Sequence, residues 1–282
     1  MKKLIVIGGS GFVGNSLKDY VKLKKTNISN IIDISRTSNK NIIKIKKLPA
    51  ADYIIYCINS KNIKKSLNYF FYFKNLLKKY SKKTKILFFS SGAVYGPSFK
   101  TKKFSEKEKI ILRKIDKFKG YKKTYAKEKI LLENEFKKLS SFGFRISIAR
   151  GFTFYGKHIL KYNYLISQII HSIKKNKKLT INDENVYRSY MHADDMCKWL
   201  LKIVGNSSSK CTIYNIGSDK IVKIKNLIQF FNENYDAKII QKINKRKKID
   251  FYVPSTYLAN KKLKLKNTIN FNHAIKSLIN LK

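Results

Sequence analysis

The segment LIVIGGSGFVG, residues 4–14, decides the fold that we expect for this chain of 282 residues. An apolar run at residues 4–7 is followed by a glycine-rich turn and then by apolar residues at helical spacing. Such a turn lets the backbone approach a pyrophosphate closely and directs the helix N-terminus at it. The segment therefore predicts a dinucleotide-binding βα unit. The expected cofactor contacts are Gly8, Ser10, Gly11, Phe12, Val13 and Gly14.

Further short apolar runs alternate with helical patterns along the first half of the chain. Strands are expected at residues 31–35, 42–45, 53–58, 85–90 and 144–149, and long helices at 63–80 and 121–139. Strands that alternate with helices imply a parallel sheet covered on both faces. We therefore predict an α/β protein with a Rossmann-type doubly wound parallel sheet and a small C-terminal substrate-binding lobe.

The domain boundary is placed near residue 155. Residues 1–155 are expected to form the dinucleotide-binding Rossmann domain. Residues 156–282 are expected to form mainly the substrate-binding lobe, with segments that return to the Rossmann core. The lysine-rich stretch 97–119 is weakly periodic and is interpreted as a flexible surface insertion.

Composition excludes several classes of protein. Hydrophobic residues make up 43% of the chain, which is too many for disorder over its whole length. No run of about 18 apolar residues occurs, so no membrane-spanning helix is expected. The three cysteines are scattered and form no CxxC pair, which argues against a disulfide scaffold and a metal site. This pattern fits a reducing, cytoplasmic location.

The charge balance is strongly basic, with 62 Lys and Arg residues against 17 Asp and Glu residues and a formal net charge of +45. Lysine supplies most of it, and lysine, asparagine and isoleucine share A/T-rich codons, so genome composition is the preferred explanation. A selected phosphate-binding surface would be expected to use more arginine. The alternative is a non-catalytic, basic dinucleotide-binding module for RNA or a membrane surface. No specific nucleic-acid partner is expected.

Tyr125 and Lys129 form a Tyr-x-x-x-Lys pair on one face of an expected helix. The ammonium would lower the pKa of the phenol, so that the tyrosine could exchange a proton. Two other such pairs, Tyr20/Lys24 and Tyr257/Lys261, show that the spacing alone is not specific. Position distinguishes Tyr125, because it follows a buried strand that ends in Ser90 and Ser91, where the reactive end of a cofactor is expected.

Taken together, six segments resemble the extended short-chain dehydrogenase/reductase family, the NAD-dependent epimerase/dehydratase proteins that act on nucleotide sugars. They are GGSGFVG (8–14), SSGAVYG (90–96), YAKEK (125–129), ARGFTFYG (149–156), RSYMHADDM (188–196) and YNIGS (214–218). The resemblance implies that Ser91 bonds the sugar oxygen, Tyr125 is the acid/base and Lys129 holds the nicotinamide ribose. It also implies that Arg188 meets the nucleotide diphosphate, whereas His192 is interpreted as structural.

Departures from the family pattern narrow the expected activity. Family dehydratases carry an acidic pair where this chain has Gly92 and Ala93, so 4,6-dehydration is disfavoured. Thr153 stands where an asparagine often contacts the diphosphate, and it is kept as a substrate-binding candidate. The preferred function is a reductase that transfers hydride at C4 of a nucleotide-linked 4-keto sugar. A 4-epimerase would use the same residues and remains the alternative.

Three further expectations concern cofactor, assembly and pathway. An acid at the end of the second strand would favour NAD, and Asp33 is the candidate; Ser35 and Arg36 lie nearer the expected strand tip and favour NADP. NADP is preferred and NAD is the alternative. The resemblance also implies a homodimer through the helices at 63–80 and 121–139. Polysaccharide biosynthesis is the pathway that the resemblance suggests.

Overall fold

The structure, a computed structural model, describes residues 1–35, 41–60, 62–161, 163–181, 185–242 and 249–281. Within these residues the strands are β1 (Lys2–Ile7), β2 (Ile28–Ile34), β3 (Tyr53–Tyr56), β4 (Lys85–Ser91), β5 (Arg145–Gly151), β6 (Phe154–Tyr155), β7 (Leu179–Ile181), β8 (Val186–Arg188), β9 (Met191–His192), β10 (Thr212–Ile216), β11 (Val222–Lys223), β12 (Ile239–Gln241) and β13 (Asp250–Tyr252). The helices are α1 (Phe12–Leu23), α2 (Ile63–Leu77), α3 (Leu112–Ile115), α4 (Gly120–Ser141), α5 (Leu165–Lys174), α6 (Ala193–Gly205), α7 (Ile224–Tyr235), α8 (Tyr257–Leu263) and α9 (Phe271–Asn280).

The central sheet confirms the predicted fold class. Its six strands lie in the order β10-β5-β4-β3-β1-β2, and every neighbouring pair is parallel. Strand order reverses between β1 and β3, because the chain passes from β1 to β2 on one side and then crosses to β3 on the other, so their carboxyl ends open a crevice for a ligand. The first five of these strands in the chain come from the first 151 residues, and β10 returns from the second half to the edge of the sheet beside β5.

The two faces of the sheet bury different helices. Along β1, Leu4 and Val6 belong to the core under α1 and α6, whereas Ile5 and Ile7 belong to the core under α2 and α4. This alternation follows from the two-residue period of a strand. The single tryptophan, Trp199 of α6, is 1% exposed on the first face, and its indole N–H donates to the Lys266 carbonyl at 3.3 Å.

A smaller C-terminal lobe is built from α5, α7 and α9 around a separate apolar core. Beside that core lies a three-stranded sheet in the order β11-β8-β13, in which β8 pairs antiparallel with β11 and parallel with β13. Short parallel pairs join β12 to β7 and β6 to β9. The lobe thus contributes β8 and β13, whose residues reach the crevice at the end of the large sheet.

Two local expectations are wrong. Residues 42–44 form a turn rather than a strand. Ile42 packs into the core, where it is 2% exposed, and it does not pair in the sheet. The stretch 97–119 is not a surface insertion. Phe104 and Ile115 are buried at 3% and 0% exposure, and Phe104 forms a bridge with Pro254. Its apolar residues are irregularly spaced, so a periodicity argument does not detect them.

Candidate active site

The glycine-rich loop between β1 and α1 is shaped by contacts that exclude side chains. Gly8 has φ +92°, a conformation that favours glycine, and a Cβ there would lie 2.9 Å from the Ile58 nitrogen. A Cβ on Gly14 would lie 2.2 Å from the Gly9 Cα, so loop and helix touch through backbone. Gly11 precedes α1, and no side chain caps this helix N-terminus. The Gly8 and Gly11 N–H groups donate to the Ile34 and Gly8 carbonyls, so the backbone donors of the kind that bind a pyrophosphate are those of the uncapped first turn of α1.

A cavity of about 870 Å³ extends from this loop along the carboxyl ends of the central strands. Its volume is within the range of sites for small molecules and cofactors, roughly 300 to 1,000 Å³. Eleven of the residues proposed from the sequence line it: Gly8, Ser10, Gly11, Phe12, Val13, Ser35, Ser91, Tyr125, Lys129, Thr153 and Arg188. The structure therefore brings the expected cofactor and substrate residues to one place.

Ser91, Tyr125 and Lys129 converge in this cavity from two elements. Ser91 ends β4, and its hydroxyl accepts a hydrogen bond from the Ala93 N–H at 3.2 Å. Tyr125 and Lys129 lie one turn apart on α4, and the Lys129 ammonium is 5.5 Å from the centroid of the Tyr125 ring. The same ammonium donates to the Ile58 carbonyl at 3.2 Å. All three side chains line the same cavity, and Lys129 lies next to the Tyr125 ring.

The electrostatics of the pair differ from the sequence-based expectation. Burial raises the pKa of Tyr125 above the usual range of a phenol, and a hydrogen bond with Ser91 only partly opposes this shift. Burial also lowers the pKa of Lys129, with the carboxylate of Glu128 acting in the opposite direction. The expected lowering of the pKa of Tyr125 is therefore wrong, because burial of the phenolate is the largest contribution and raises it.

Asp33, Ser35 and Arg36, the residues that the sequence proposed to select between NAD and NADP, differ in their positions relative to the cavity. Ser35 is 6% exposed and lines the cavity. Asp33 lies beneath the glycine-rich loop, outside the cavity lining, and its carboxylate pairs with Lys18 at 3.0 Å. Arg36 lies outside the described residues. Gly14 is also outside the cavity lining, at the loop–helix contact.

Arg188 and Thr153 line the part of the cavity next to the C-terminal lobe. The Arg188 guanidinium donates to both carboxylate oxygens of Asp250, at 2.7 and 3.2 Å, and to the backbone carbonyl of Asp250 at 3.0 Å. Its side chain keeps 20% exposure. The Thr153 carbonyl accepts from the Met191 N–H at 3.1 Å, which ties the turn after β5 to β9. An anchored guanidinium at a cavity wall can bind an anionic group of a ligand.

The segment at Gly92 and Ala93 has no room for an acidic side chain at its first position. A Cβ on Gly92 would lie 2.6 Å from the Phe152 ring and 2.8 Å from the Tyr252 hydroxyl oxygen. Ala93 is 5% exposed and lines the cavity. The aromatic side chains therefore occupy the space into which a residue at position 92 would extend.

A buried ion pair behind the site escaped the sequence analysis. Glu133 on α4 accepts two hydrogen bonds from Arg150 of β5, at 2.7 and 2.9 Å, and one from the Ser90 hydroxyl at 2.6 Å. The Glu133 and Arg150 side chains are 1% and 3% exposed. Glu133 follows Tyr125 and Lys129 at four-residue steps, a signal that could have placed it on the same helix face. The pair joins α4, which carries Tyr125, to β5, and the hydrogen bond from Ser90 joins the same carboxylate to β4, which carries Ser91.

Cys57 and His192 are two further titratable residues, of which Cys57 lines the cavity. Burial raises the pKa of the Cys57 thiol to about 12, so this cavity-lining cysteine is protonated and a poor nucleophile. His192 is the N-cap of α6, where its Nδ1 accepts from the Asp194 N–H at 3.1 Å.

Within the described ranges, no cluster of three His, Cys, Asp or Glu residues could hold a metal ion. In the same part of the chain, no helix is both long enough and apolar enough to cross a membrane.

Comparison with known proteins agrees with this geometry. A family model described as the NAD dependent epimerase/dehydratase family matches residues 4–217. RMD from Pseudomonas aeruginosa, complexed with NADPH, is 18% identical with a TM-score of 0.76, and the alignment covers 99% of this chain and 98% of that chain. No curated protein matches in sequence.

Two further solved structures are similar over nearly their whole length. A dTDP-glucose 4,6-dehydratase from Bacillus anthracis in complex with NAD is 16% identical with a TM-score of 0.76, and the alignment covers 99% of this chain and 96% of that chain. A UDP-glucose 4-epimerase from Thermotoga maritima with UDP-glucose is 15% identical with a TM-score of 0.76, covering 98% and 97%. At these identities the likeness shows the fold, and the family rests on the matching model.

Proposed function

The chain belongs to the NAD-dependent epimerase/dehydratase family, and from this premise we propose that it reduces a nucleotide-linked 4-keto sugar at C4 with NADP as cofactor. The observation that carries the proposal is the convergence of Ser91, Tyr125 and Lys129 in the cavity that begins at the glycine-rich loop. Such a reaction requires a binding site for the dinucleotide and a proton donor beside it. The glycine-rich loop is the binding site, and Tyr125, next to Ser91 and Lys129, is the proton donor.

The residues present fit a dinucleotide. The backbone at Gly8 and Gly14 is packed so closely that a Cβ would clash, and the N-terminus of α1 lacks a side-chain cap. The close packing lets a pyrophosphate approach the backbone, the uncapped first turn of α1 would donate to it, and Lys129 would hold the nicotinamide ribose. When bound, the nicotinamide supplies the hydride. All other steps are assigned to the side chains of this chain.

In the reductive direction, Ser91 and Tyr125 hold the 4-keto oxygen of the sugar by hydrogen bonds. As hydride reaches C4, the carbonyl π bond breaks and Tyr125 gives its proton to the oxygen, which becomes a hydroxyl. The Tyr125 phenolate left behind is stabilised by the hydrogen bond from Ser91 and by the Lys129 ammonium, and it regains a proton from water. The raised pKa of Tyr125 keeps the phenol protonated before the transfer but makes it a weaker acid, so the stabilisation of the phenolate by Ser91 and Lys129 is what allows it to give up the proton.

The preference for NADP is supported by the places of Ser35 and Asp33. A carboxylate at the cavity wall would repel the 2′-phosphate of NADP, but Asp33 is paired with Lys18 beneath the loop. The uncharged Ser35 lines the wall instead. Among the similar structures, RMD is complexed with NADPH and the dehydratase with NAD.

Substrate binding is assigned to the part of the cavity next to the C-terminal lobe. Arg188 would pair with the diphosphate of a nucleotide sugar and Thr153 would contact the same ligand. This matches a division into a dinucleotide-binding domain at 1–155 and a mainly substrate-binding lobe at 156–282. The epimerase from Thermotoga maritima is a relative in fold that was solved with UDP-glucose.

A homodimer is proposed through α2 and α4, which pack on each other at the surface. Phe71, Tyr72 and Leu131 are 44%, 51% and 41% exposed on these helices. A second copy would cover this apolar surface. We place the enzyme in the cytoplasm and in polysaccharide biosynthesis, on the resemblance and on the reduced state expected of its cysteines.

The test is incubation of the purified protein with UDP- and dTDP-linked 4-keto hexoses and hexoses, with NADPH, with NADH and with no added cofactor. Stoichiometric oxidation of NADPH with formation of the 4-hydroxy sugar is the expected result. Conversion of hexoses at C4 without added cofactor would replace the reductase by the 4-epimerase, which uses the same residues and retains its cofactor. Loss of water from the sugar would contradict the inference that Gly92 and Ala93, in place of an acidic pair, disfavour 4,6-dehydration.

The same purified protein also allows a test of whether the chain is an enzyme or a non-catalytic basic module. Absence of turnover on every sugar, together with a salt-sensitive shift of RNA or sedimentation with anionic vesicles at near-physiological ionic strength, would overturn the proposed function. The Tyr125→Phe variant serves as the control for background oxidation of the cofactor.

A further inference from the structure

The cavity is lined by cations without matching acids. Its charged lining residues are Lys65, Lys122, Lys129 and Arg188, and no Asp or Glu is among the described residues that line it. Lys65 lies in the first turn of α2, after the loop whose Ile58 nitrogen lies against Gly8, and so belongs to the side of the glycine-rich loop. Lys122 is a second cation to which the proposed reaction gives no role.

Lys122 lies at the part of the cavity next to the C-terminal lobe. It is three residues before Tyr125 on α4, so the two share a helix face and are about 4.5 Å apart along the axis. Its ammonium is 4.5 Å from the centroid of the Phe118 ring, and Phe118 belongs to the apolar cluster against which Tyr252 packs. Tyr252 is the register partner of Arg188 between β13 and β8. Lys122 and Arg188 are therefore joined through one cluster at this part of the cavity.

The charge of Arg188 is already balanced within the protein. Its Nη1 donates to the backbone carbonyls of Tyr187 at 2.9 Å and Asp250 at 3.0 Å, and the two carboxylate oxygens of Asp250 accept at 2.7 and 3.2 Å. A guanidinium has five N–H donors, so Arg188 keeps some with which to orient a ligand. Its ion pair carries no net charge, however, whereas the diphosphate of a nucleotide sugar is doubly negative. Enclosing that group requires a further cation.

Lys122 is placed to supply this charge. Within the described ranges, no carboxylate forms an ion pair with it. It is exposed at the mouth of the cavity, and the Phe118 ring attracts its ammonium. Removal from water by the surrounding protein lowers the pKa of Lys122, which Asp250 opposes and Arg188 reinforces. An ammonium that has lost part of its water gains more from an anionic ligand than a fully hydrated one.

We infer that Lys122 binds the diphosphate of the nucleotide sugar and supplies the charge that neutralises it, while Arg188 orients the same group. The inference rests on the proposed function for the identity of the ligand, but it concerns binding rather than turnover. The diphosphate is attached at C1, across the sugar ring from C4, so Lys122 stays outside the proton transfer. Its contact is the same in the bound substrate and in the transition state, and it therefore acts on KM and not on kcat.

The experiment measures the binding of UDP, dTDP, GDP and ADP to the purified protein by calorimetry. Lys122→Met keeps the length of the side chain and removes its charge. The Kd of the tightest of these diphosphates should rise about tenfold, because one charge-assisted contact is lost, while the Kd of NADPH stays near the wild-type value. Added salt should weaken binding less steeply in the variant than in the wild type. Lys122→Arg should restore the affinity.

Lys123→Met is the matched control from the same turn of α4. Lys123 pairs with Asp116 at 3.0 Å and is outside the cavity lining, so this variant removes one positive charge without touching the site. Its Kd for the diphosphate should stay within about twofold of the wild type, as expected of an exposed charge. Equal losses in the two variants would show only long-range attraction and would overturn the inference, as would an unchanged Kd in Lys122→Met.

Turnover separates this inference from the proposed function. With an active wild type, Lys122→Met should raise KM for the nucleotide sugar about tenfold and leave kcat unchanged. A fall in kcat at unchanged KM would overturn the inference and leave the proposed function in place. A wild type that is inactive on every sugar, yet binds a nucleoside diphosphate through Lys122, would overturn the proposed function alone.

Discussion

The two ends of the cavity, which we propose bind the dinucleotide and the sugar and call the dinucleotide end and the sugar end, are built in different ways. The dinucleotide end comes from one continuous segment, residues 8–14, whose backbone supplies the shape. The sugar end is assembled from Ser91, Tyr125, Arg188 and Tyr252, which lie on separate elements of the sheet and the lobe. The structure of a local segment can be predicted from the spacing of its residues, whereas a site assembled from several elements depends on packing between distant parts of the chain. The predictions below act on one of these ends or on the packing that supports it.

The largest effect is expected at the sugar end from Tyr125→Phe. Loss of a general acid should reduce kcat by about 10³-fold while the affinity for the dinucleotide stays near the wild-type value. Steady-state kinetics and a titration of the cofactor measure the two quantities. Tyr257→Phe is the control, because Tyr257 and Lys261 form another Tyr-x-x-x-Lys pair with an ammonium-to-ring distance of 5.6 Å, at 66% exposure of the tyrosine. Equal losses in both variants would contradict the assignment.

Glu133→Gln should destabilise the protein by roughly 3 kcal/mol, because it leaves the Arg150 guanidinium buried without a counter-charge. Chemical denaturation measures the change in free energy of unfolding. Glu135→Gln is the matched control on the same helix. Its partner Lys138 is 65% exposed, so its removal should cost less than about 1 kcal/mol. Similar costs for the two variants would show that the Glu133–Arg150 pair does not join α4 to the sheet as described.

At the dinucleotide end, Gly14→Ala and Gly11→Ala should separate folding from binding. A methyl at position 14 meets the Gly9 backbone at 2.2 Å and should cost about 2 kcal/mol of stability. A methyl at position 11 has only the Gly8 carbonyl at 3.6 Å, so the fold should keep its stability while affinity for the dinucleotide falls. Thermal melts with and without cofactor distinguish the two. A stable Gly14→Ala protein would contradict the close packing of loop and helix.

Ser35→Asp should change the cofactor preference at the cavity wall. A carboxylate there would repel a 2′-phosphate and could accept hydrogen bonds from ribose hydroxyls. The ratio of kcat/KM for NADPH to that for NADH is expected to fall by about tenfold, equivalent to roughly 1.4 kcal/mol. Ser35→Asn is the uncharged control. An unchanged ratio in Ser35→Asp would remove the support that Ser35 gives to NADP.

The smallest effect is expected from Glu106→Gln, next to the sugar end. Burial raises the pKa of Glu106, although the Asn215 N–H donates to its carboxylate at 2.8 Å. A carboxyl whose pKa is raised on folding favours the folded state at low pH and loses this contribution as the pH rises through its folded pKa. Glu106→Gln should therefore be more stable than the wild type at neutral pH, by a margin that disappears in acid. A margin independent of pH would contradict the raised pKa.

The sequence predicted the dinucleotide end well because its determinants are local. The glycine spacing, the buried strands and the parallel order of the sheet all follow from patterns within a few residues. It also placed Ser91, Tyr125 and Lys129 in one cavity, through the position of each at a strand end or helix. Their roles remain proposals.

The rest depended on packing that no periodicity reveals. Tyr252 reaches the cavity, and Asp250 pairs with the cavity-lining Arg188, from a short strand near the C-terminus that follows a lysine-rich stretch with no motif. The direction of the pKa shift of Tyr125 was wrong because burial of the ring cannot be read from a Tyr-x-x-x-Lys spacing. Residues 97–119 were misjudged for the same reason, since Phe104 is buried by contacts with distant segments.

The position of Trp199 gives the protein an internal optical reporter. Its indole is buried under α6 on one face of the sheet, whereas α2 and α4 cover the other face. Tryptophan emission, excited at a wavelength that the 18 tyrosines do not absorb, follows the collapse of one side only, whereas the far-ultraviolet circular dichroism signal averages over the backbone. Coincident denaturation curves from the two signals would mean that both layers come apart together. Separate midpoints would mean that the layer bearing the phenol and ammonium side chains opens independently of the other.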